Sequence, residues 1–313
     1  MYRKGVTLRG DKKRGCLMLR RKKSLAAAAA TAVTMLGMLA VGPATSAGAS
    51  TTWKTHVCHG TAKRPGVLTG LNLNVIVRGL CLVNAGPVAV AHDVIITRGS
   101  ALIAAFGGHD SHISVAGDII VHRAGTLLLG CEPVHFNCLD EPHPKHPSLA
   151  SHDTVAGSLV AVGALGVVVH NTWFGHNVIN LGGGPGLTCK PLGPFAQAHS
   201  PAYTDFEDNW IGGSLWVKHV TSCWLGVIRN WVGGSATVSG NKMKDPDAME
   251  VVTNTVLRDL TCWRNSPKAQ FGDSHGLPNR VGLHAFFECG FHRLVPNPAG
   301  QHKHFEHISV HLH

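Results

Sequence analysis

The chain has little charge. Asp, Glu, Lys and Arg make up 15 % of its 313 residues, and it contains only two Tyr. It lacks long stretches of 3.6-residue periodicity rich in Leu, Ala, Glu and Lys, which argues against a helical solenoid. No C-x-x-C pair is present, so thiolate zinc sites of the usual spacing are not expected. There is no P-loop, and serine or cysteine nucleophile machinery is not expected. After the first 49 residues there is no block of Lys or Arg and no alternation of aromatic with basic residues, which leaves a nucleic-acid partner without support.

The net positive charge of the chain lies mostly at one end. The first 23 residues carry ten Lys or Arg and one acid, Asp11, followed by an apolar run from Leu25 to Val41 and the small-residue site Ala47-Gly-Ala49. This order is that of a secretory signal peptide over 1–49, with cleavage expected after Ala49 and an ordinary n-region if translation starts at Met18. The apolar run is short for a span and mostly Ala, and no later stretch is long enough, so no membrane span is expected after leader cleavage. Taking ten basic and one acidic residue from totals of 28 and 18 leaves 18 against 17, a net charge of +1. The product is expected to be secreted, extracellular or cell-wall associated. An even eight Cys remain: Cys58, Cys81, Cys131, Cys138, Cys189, Cys223, Cys262 and Cys289. Disulfides are their natural state in that compartment. Cys131 and Cys138 are close enough to staple a short insertion.

The chain repeats itself. Asn209-Trp-Ile-Gly-Gly-Ser-Leu-Trp-Val217 returns as Asn230-Trp-Val-Gly-Gly-Ser-Ala-Thr-Val238. Asn254-Thr-Val-Leu-Arg-Asp-Leu-Thr-Cys262 is a further copy, and Asn171-Thr-Trp-Phe-Gly-His-Asn-Val-Ile179 a looser one upstream. Asp93-Val-Ile-Ile recurs as Asp118-Ile-Ile-Val, Gly157-Ser-Leu-Val echoes Gly213-Ser-Leu-Trp, and Leu165-Gly-Val-Val168 echoes Leu225-Gly-Val-Ile228. Each coil therefore holds more than one strand phrase. Short apolar runs punctuated by Gly, Asn and Asp are strands with turn chemistry between them. A period near twenty is half of a propeller blade and matches one turn of a solenoid. The expected fold is all-β, a right-handed parallel β-helix of about seven coils over 67–262, after a flexible lead-in at 50–66 and before a C-terminal cap and His-rich tail at 263–313. Asn209 and Asn230 should form a ladder, with Ile211 over Val232 and Leu215 over Ala236 inside.

Three segments break the period: 130–153, 181–205 and 264–284. Insertions of this kind project as loops on one face, often the binding face. Asp205, Glu207 and Asp208 stand just before the first Asn-Trp phrase, with Lys218, Arg229 and Arg258 in or beside repeat strands. A polysaccharide lyase needs carboxylates to hold Ca²⁺ against the uronate and a Lys or Arg as base, whereas a glycosidase needs two carboxylates roughly 5 to 9.5 Å apart. Asp205, Glu207, Asp208, Lys218 and Arg229 are the catalytic candidates under either chemistry, with Ca²⁺ as the lyase's cofactor. The bland alternative is that the acids are solvated turn residues.

Asp245, Asp247 and Glu250 offer three carboxylates within six residues for a cation, without the Gly and terminal Glu of an EF-hand loop. All 22 His follow the leader. His302, His304, His307, His311 and His313 crowd the C-terminus, and on an extended strand His302 and His304, or His311 and His313, share a side and suit Zn²⁺, Ni²⁺ or Cu²⁺. His109-Asp-Ser-His112 is a weaker candidate. Trp173, Trp210, Trp216, Trp224, Trp231 and Trp263 are sugar-stacking rings if outward and core if inward.

Leu260-Thr-Cys262, Asn265, Pro267, Gly276-Leu-Pro-Asn279, Val281-Gly282 and Cys289 together make the last third resemble a family of secreted actinobacterial β-helix-like proteins of unknown function. The resemblance implies a Cys262 to Cys289 bridge and no activity; the His-rich tail departs from it. The leading expectation is a secreted structural or adhesive β-helix that contacts extracellular or cell-surface polysaccharide, with self-association through its coil ends. The alternative is a β-helix polysaccharide lyase or glycoside hydrolase.

Overall fold

The computed structural model describes residues 53–105, 111–130, 153–270 and 276–290. The leader, Cys131, Cys138 and the His tail, with His302, His304, His311 and His313, lie outside the described residues, as does His109.

The described chain is a parallel β-helix. One coil shows how the repeat builds it. Leu215–Lys218 lies in a first sheet, here sheet A; Leu225–Ile228 lies in sheet B, Trp231–Val232 in sheet C, and Ala236–Ser239 returns to sheet A directly over Leu215–Lys218. The 21-residue phrase is therefore one complete turn of three strands. Sheet C has nine described strands. Sheets A and B share the long strand Val75–Leu82 and are counted as one 17-stranded sheet. Pairing starts earlier and ends later than the period predicts. His56–Gly60, in the expected lead-in, pairs with Val75–Gly79, and Cys58 is bonded to Cys81. Arg280–Val281 and Ala285–Phe287, in the expected cap, add further rungs to sheets C and A.

Stacking in register puts like residues over like. Ile211 sits over Val232 and Leu215 over Ala236, all at most 1 % exposed. Two sequence echoes are out of register. Trp173, not Thr172, pairs with Trp210, so the Asn171 phrase is one residue off. Leu225 stands in the column of Thr204 and Val167 rather than that of Leu165. A shift of two keeps every side chain on its own face, so periodicity cannot detect it.

The corners are closed by polar ladders. The Asn209 Nδ2 donates to Asn230 Oδ1 at 2.9 Å, Asn230 to Asn254 at 3.0 Å and Asn254 to Asn279 at 2.9 Å. A second amide column runs from Asn241 through Asn265 to Glu288. A third was not foreseen: side-chain oxygens of Asn74, Asp93, Asp118, Ser158, Asn177, Ser214, Ser235 and Asp259 each accept the backbone N–H of the next rung. Burial of these turns is tolerated because their polar groups are paired.

Sheet B differs from sheet A. Strands of sheet A alternate buried with half-buried, as in Leu215–Lys218, whereas Thr204–Glu207, Leu225–Ile228 and Met249–Val252 are buried on both faces. The outer face of sheet B carries a second apolar cluster, in which Leu80, Ile103, Leu128 and Val168 join Phe195 and Ala202. Phe195, 3 % exposed, comes from the short 3₁₀ turn Gly193–Ala196 inside the second insertion, which Cys189–Cys223 ties to the coil. Burying that ring contributes about 2 to 3 kcal/mol. The insertion is thus a lid on the outside of sheet B.

Candidate functional site

Beyond the apolar part of that face the outward column turns polar. In successive coils of sheet B the outward residues are Val168 and His170, then Asp205 and Glu207, then Gly226 and Ile228, then Glu250 and Val252. The next residue in each coil, Asn171, Asp208, Arg229 and Thr253, has φ between 46° and 59°. That left-handed turn is uncommon for residues with a Cβ. It recurs wherever the chain leaves sheet B in these coils and places Asp208 and Arg229 at the edge of the cluster.

The charged groups converge. His170 Nε2 lies 3.1 Å from Asp205 Oδ2 and its Nδ1 3.6 Å from Glu207 Oε2, so the imidazole is held between two carboxylates of the next coil. Arg229 Nε and Nη2 donate to the two oxygens of Asp208 at 2.8 Å each, and Nη2 also donates to Glu207. Trp224 Nε1 donates to Glu250 Oε1 at 3.2 Å, and Tyr203 meets the Trp224 ring edge-on at 5.8 Å. His170, Asp205, Glu207 and Glu250 are 1 %, 3 %, 7 % and 1 % exposed. These acids are interior groups and not the solvated turn residues of the bland alternative.

Four of the five catalytic candidates, Asp205, Glu207, Asp208 and Arg229, are brought together here. Lys218 is not: it belongs to sheet A, with its Nζ 6.0 Å from the Trp216 ring. The base role is poorly served by Arg229, because its guanidinium bonds two carboxylates and its proton is held by both. Among the described residues, the His, Asp and Glu side chains that converge in the manner of metal ligands are His170, Asp205 and Glu207. The set Asp245, Asp247 and Glu250 does not converge so: Glu250 faces out from sheet B, while Asp245 and Asp247 stay in the preceding loop.

His170 escaped the sequence reading because the 182–203 insertion separates it from Glu207, although the two are neighbours on adjacent rungs. Its signal was a polar residue closing the apolar run Gly166-Val-Val-Val169. The string Gly272-Asp-Ser-His-Gly276 matches the G-x-S-x-G spacing and was missing from the sequence reading. That motif requires a strand before the serine and a helix after it. Here Gly276 leads into the strand Arg280–Val281, and residues 271–275 lie outside the described residues.

The tryptophans divide. Trp173, Trp210 and Trp231 stack outside sheet C, with centroids 5.4 Å and 4.8 Å apart and planes within 11° and 5° of parallel. Both faces of Trp210 are covered by its neighbours, so it offers a sugar only its edge. On sheet A, Ile76, Ile95, Ile120, Val160, Ile179 and Trp216 form a half-exposed apolar column over six coils. No helix among the described residues is long and apolar enough to cross a membrane. No protein-family model, curated protein or solved structure matches the chain.

Proposed function

We propose that the chain is an exported, disulfide-stapled β-helix that acts as a structural or adhesive surface protein, with extracellular polysaccharide as the class of molecule it contacts. The observation that carries this reading is the burial of Asp205, Glu207 and Glu250, at 3 %, 7 % and 1 % exposure. A lyase or glycosidase acting on a polymer needs its carboxylates open along a groove, with one free to give or take a proton. Here Arg229 pins Glu207 and Asp208, while sheet A carries a half-exposed apolar column. Extended apolar surface of that kind marks contact faces. Export rests on the leader and agrees with Cys58–Cys81, Cys189–Cys223 and Cys262–Cys289. The last of these is also the bridge implied by the resemblance to exported β-helix-like proteins, whose membership belongs to the same proposal.

The test is a panel of uronate and neutral glycans presented to the protein beginning at Ser50, with Ca²⁺ or with EDTA. Binding without turnover is the expected result. Turnover that disappears in Asp205→Ala/Asp208→Ala would replace this reading with the enzymatic one.

A further inference from the structure

We propose that His170, Asp205 and Glu207 bind one divalent cation of the Zn²⁺ class between two coils of the β-helix. One ligand atom from each of the three lies within 4.8 Å of the others, and all three residues are buried. The 3.1 Å between His170 Nε2 and Asp205 Oδ2 is an ordinary separation for two atoms on one ion at bond lengths of roughly 2.0 to 2.2 Å. The three ligand atoms, spread over as much as 4.8 Å, would draw together around the ion. A second observation points the same way. Asp205 Oδ1 is buried and has no hydrogen-bond partner, although the other oxygen of the same carboxylate faces His170. Buried carboxylate oxygens are normally satisfied by donors or by metal.

A doubly hydrogen-bonded imidazolium between the two acids is the competing account. It accounts for the same two contacts without metal, so the two accounts differ in whether the cluster takes up an ion. The ligand chemistry selects the ion: imidazole nitrogen with two carboxylates suits Zn²⁺, while Ca²⁺ asks for six to eight oxygens. The rungs are fixed by parallel pairing of Gly166–His170 with Thr204–Glu207, so the three ligands are placed by register and not by a loop. The site is independent of any glycan contact, since its three buried side chains join neighbouring coils of sheet B.

The experiment uses the full exported chain, stripped with chelator and then equilibrated with Zn²⁺. Metal content and thermal unfolding are measured for wild type, Asp205→Asn and His170→Gln, with circular dichroism to establish folding. Any uptake by the His-rich tail is common to all three proteins, so the decisive quantity is the difference. About one equivalent fewer in each variant is expected, together with a rise of several degrees in Tm on adding Zn²⁺ that only the wild type shows. Equal metal content and equal Tm response in wild type and variants would overturn the proposal. Zinc-edge anomalous scattering from wild-type crystals decides the matter if the variants do not fold: a peak between His170 and Asp205 supports the site, and none there refutes it.

Discussion

Arg229 closes a fork on Asp208 across one coil, its Nε and Nη2 each 2.8 Å from a carboxylate oxygen, with both residues in the left-handed backbone region. Because Nη2 also reaches Glu207, one side chain neutralises two acids on the rung before it. Arg229→Ala keeps the left-handed turn and removes the fork on Asp208 together with the bond to Glu207. With the Arg229 side chain 33 % exposed and that of Glu207 9 %, the loss is expected to be roughly 1 to 3 kcal/mol, less than for a fully buried pair. Urea unfolding of the disulfide-intact protein measures it.

Asn230 tests the ladder. Its Nδ2 donates to Phe206 O at 2.7 Å and to Asn254 Oδ1 at 3.0 Å, while its Oδ1 accepts from the backbone and side chain of Asn209. Asn230→Ala should cost about 2 to 4 kcal/mol, because buried partners are orphaned on both sides. Asn230→Asp should be worse than Ala despite its near-identical shape, since it sets a carboxylate oxygen against two acceptors. Equal midpoints for the two variants would show that the donor direction does not matter.

Gly226 lies between Asp205 and Glu250 in the outward column, and a Cβ there would stand 2.3 Å from Asp205 Oδ1 and 2.3 Å from the Trp224 ring. Gly226→Ala should therefore destabilise by roughly 1 to 3 kcal/mol through overpacking. A change in Trp fluorescence is expected with it, because the Trp224 ring must shift.

Phe195 holds the lid. Phe195→Ala removes the ring that joins the 182–203 segment to the outer cluster on sheet B, a loss of about 3 to 5 kcal/mol if the segment stays docked. Leu187 and Leu192 are exposed in that segment. Chymotrypsin should cut after them faster in the variant, while the β-helix core stays resistant. Unchanged cleavage would mean that Cys189–Cys223 alone secures the lid.

The parts of this molecule that stack identical residue types were legible in the chain itself. Asn209 and Asn230, Ile211 and Val232, and Leu215 and Ala236 could be placed on neighbouring rungs because their phrases match and no insertion separates them. Leu165 and Leu225 could not, since a shift of two preserves which face is buried. The charged cluster was half legible. Asp205, Glu207, Asp208 and Arg229 are close in sequence, but His170 is separated from its partners by the inserted lid. Sheet B's double burial was also hidden, because its outward Leu80, Ile103 and Val168 resemble ordinary core positions. Lys218 was misplaced for the opposite reason: it is near the acids in sequence and leaves in sheet A.

The amide columns also give the solenoid an electrical polarity. In the column Asn241, Asn265, Glu288, each Nδ2 gives one hydrogen to the following coil and the other to a carbonyl of the preceding one, and the chain of side-chain amides runs head to tail in the manner of peptide dipoles in a helix. The donor end of that series is where a negative charge is most favourable. Glu288 stands there, accepting from Asn265 N at 3.0 Å and Nδ2 at 2.8 Å and from Ala269 N at 3.3 Å. Its carboxylate ends the series electrostatically, because it accepts from the coil before it and has no amide hydrogen to pass to a coil beyond.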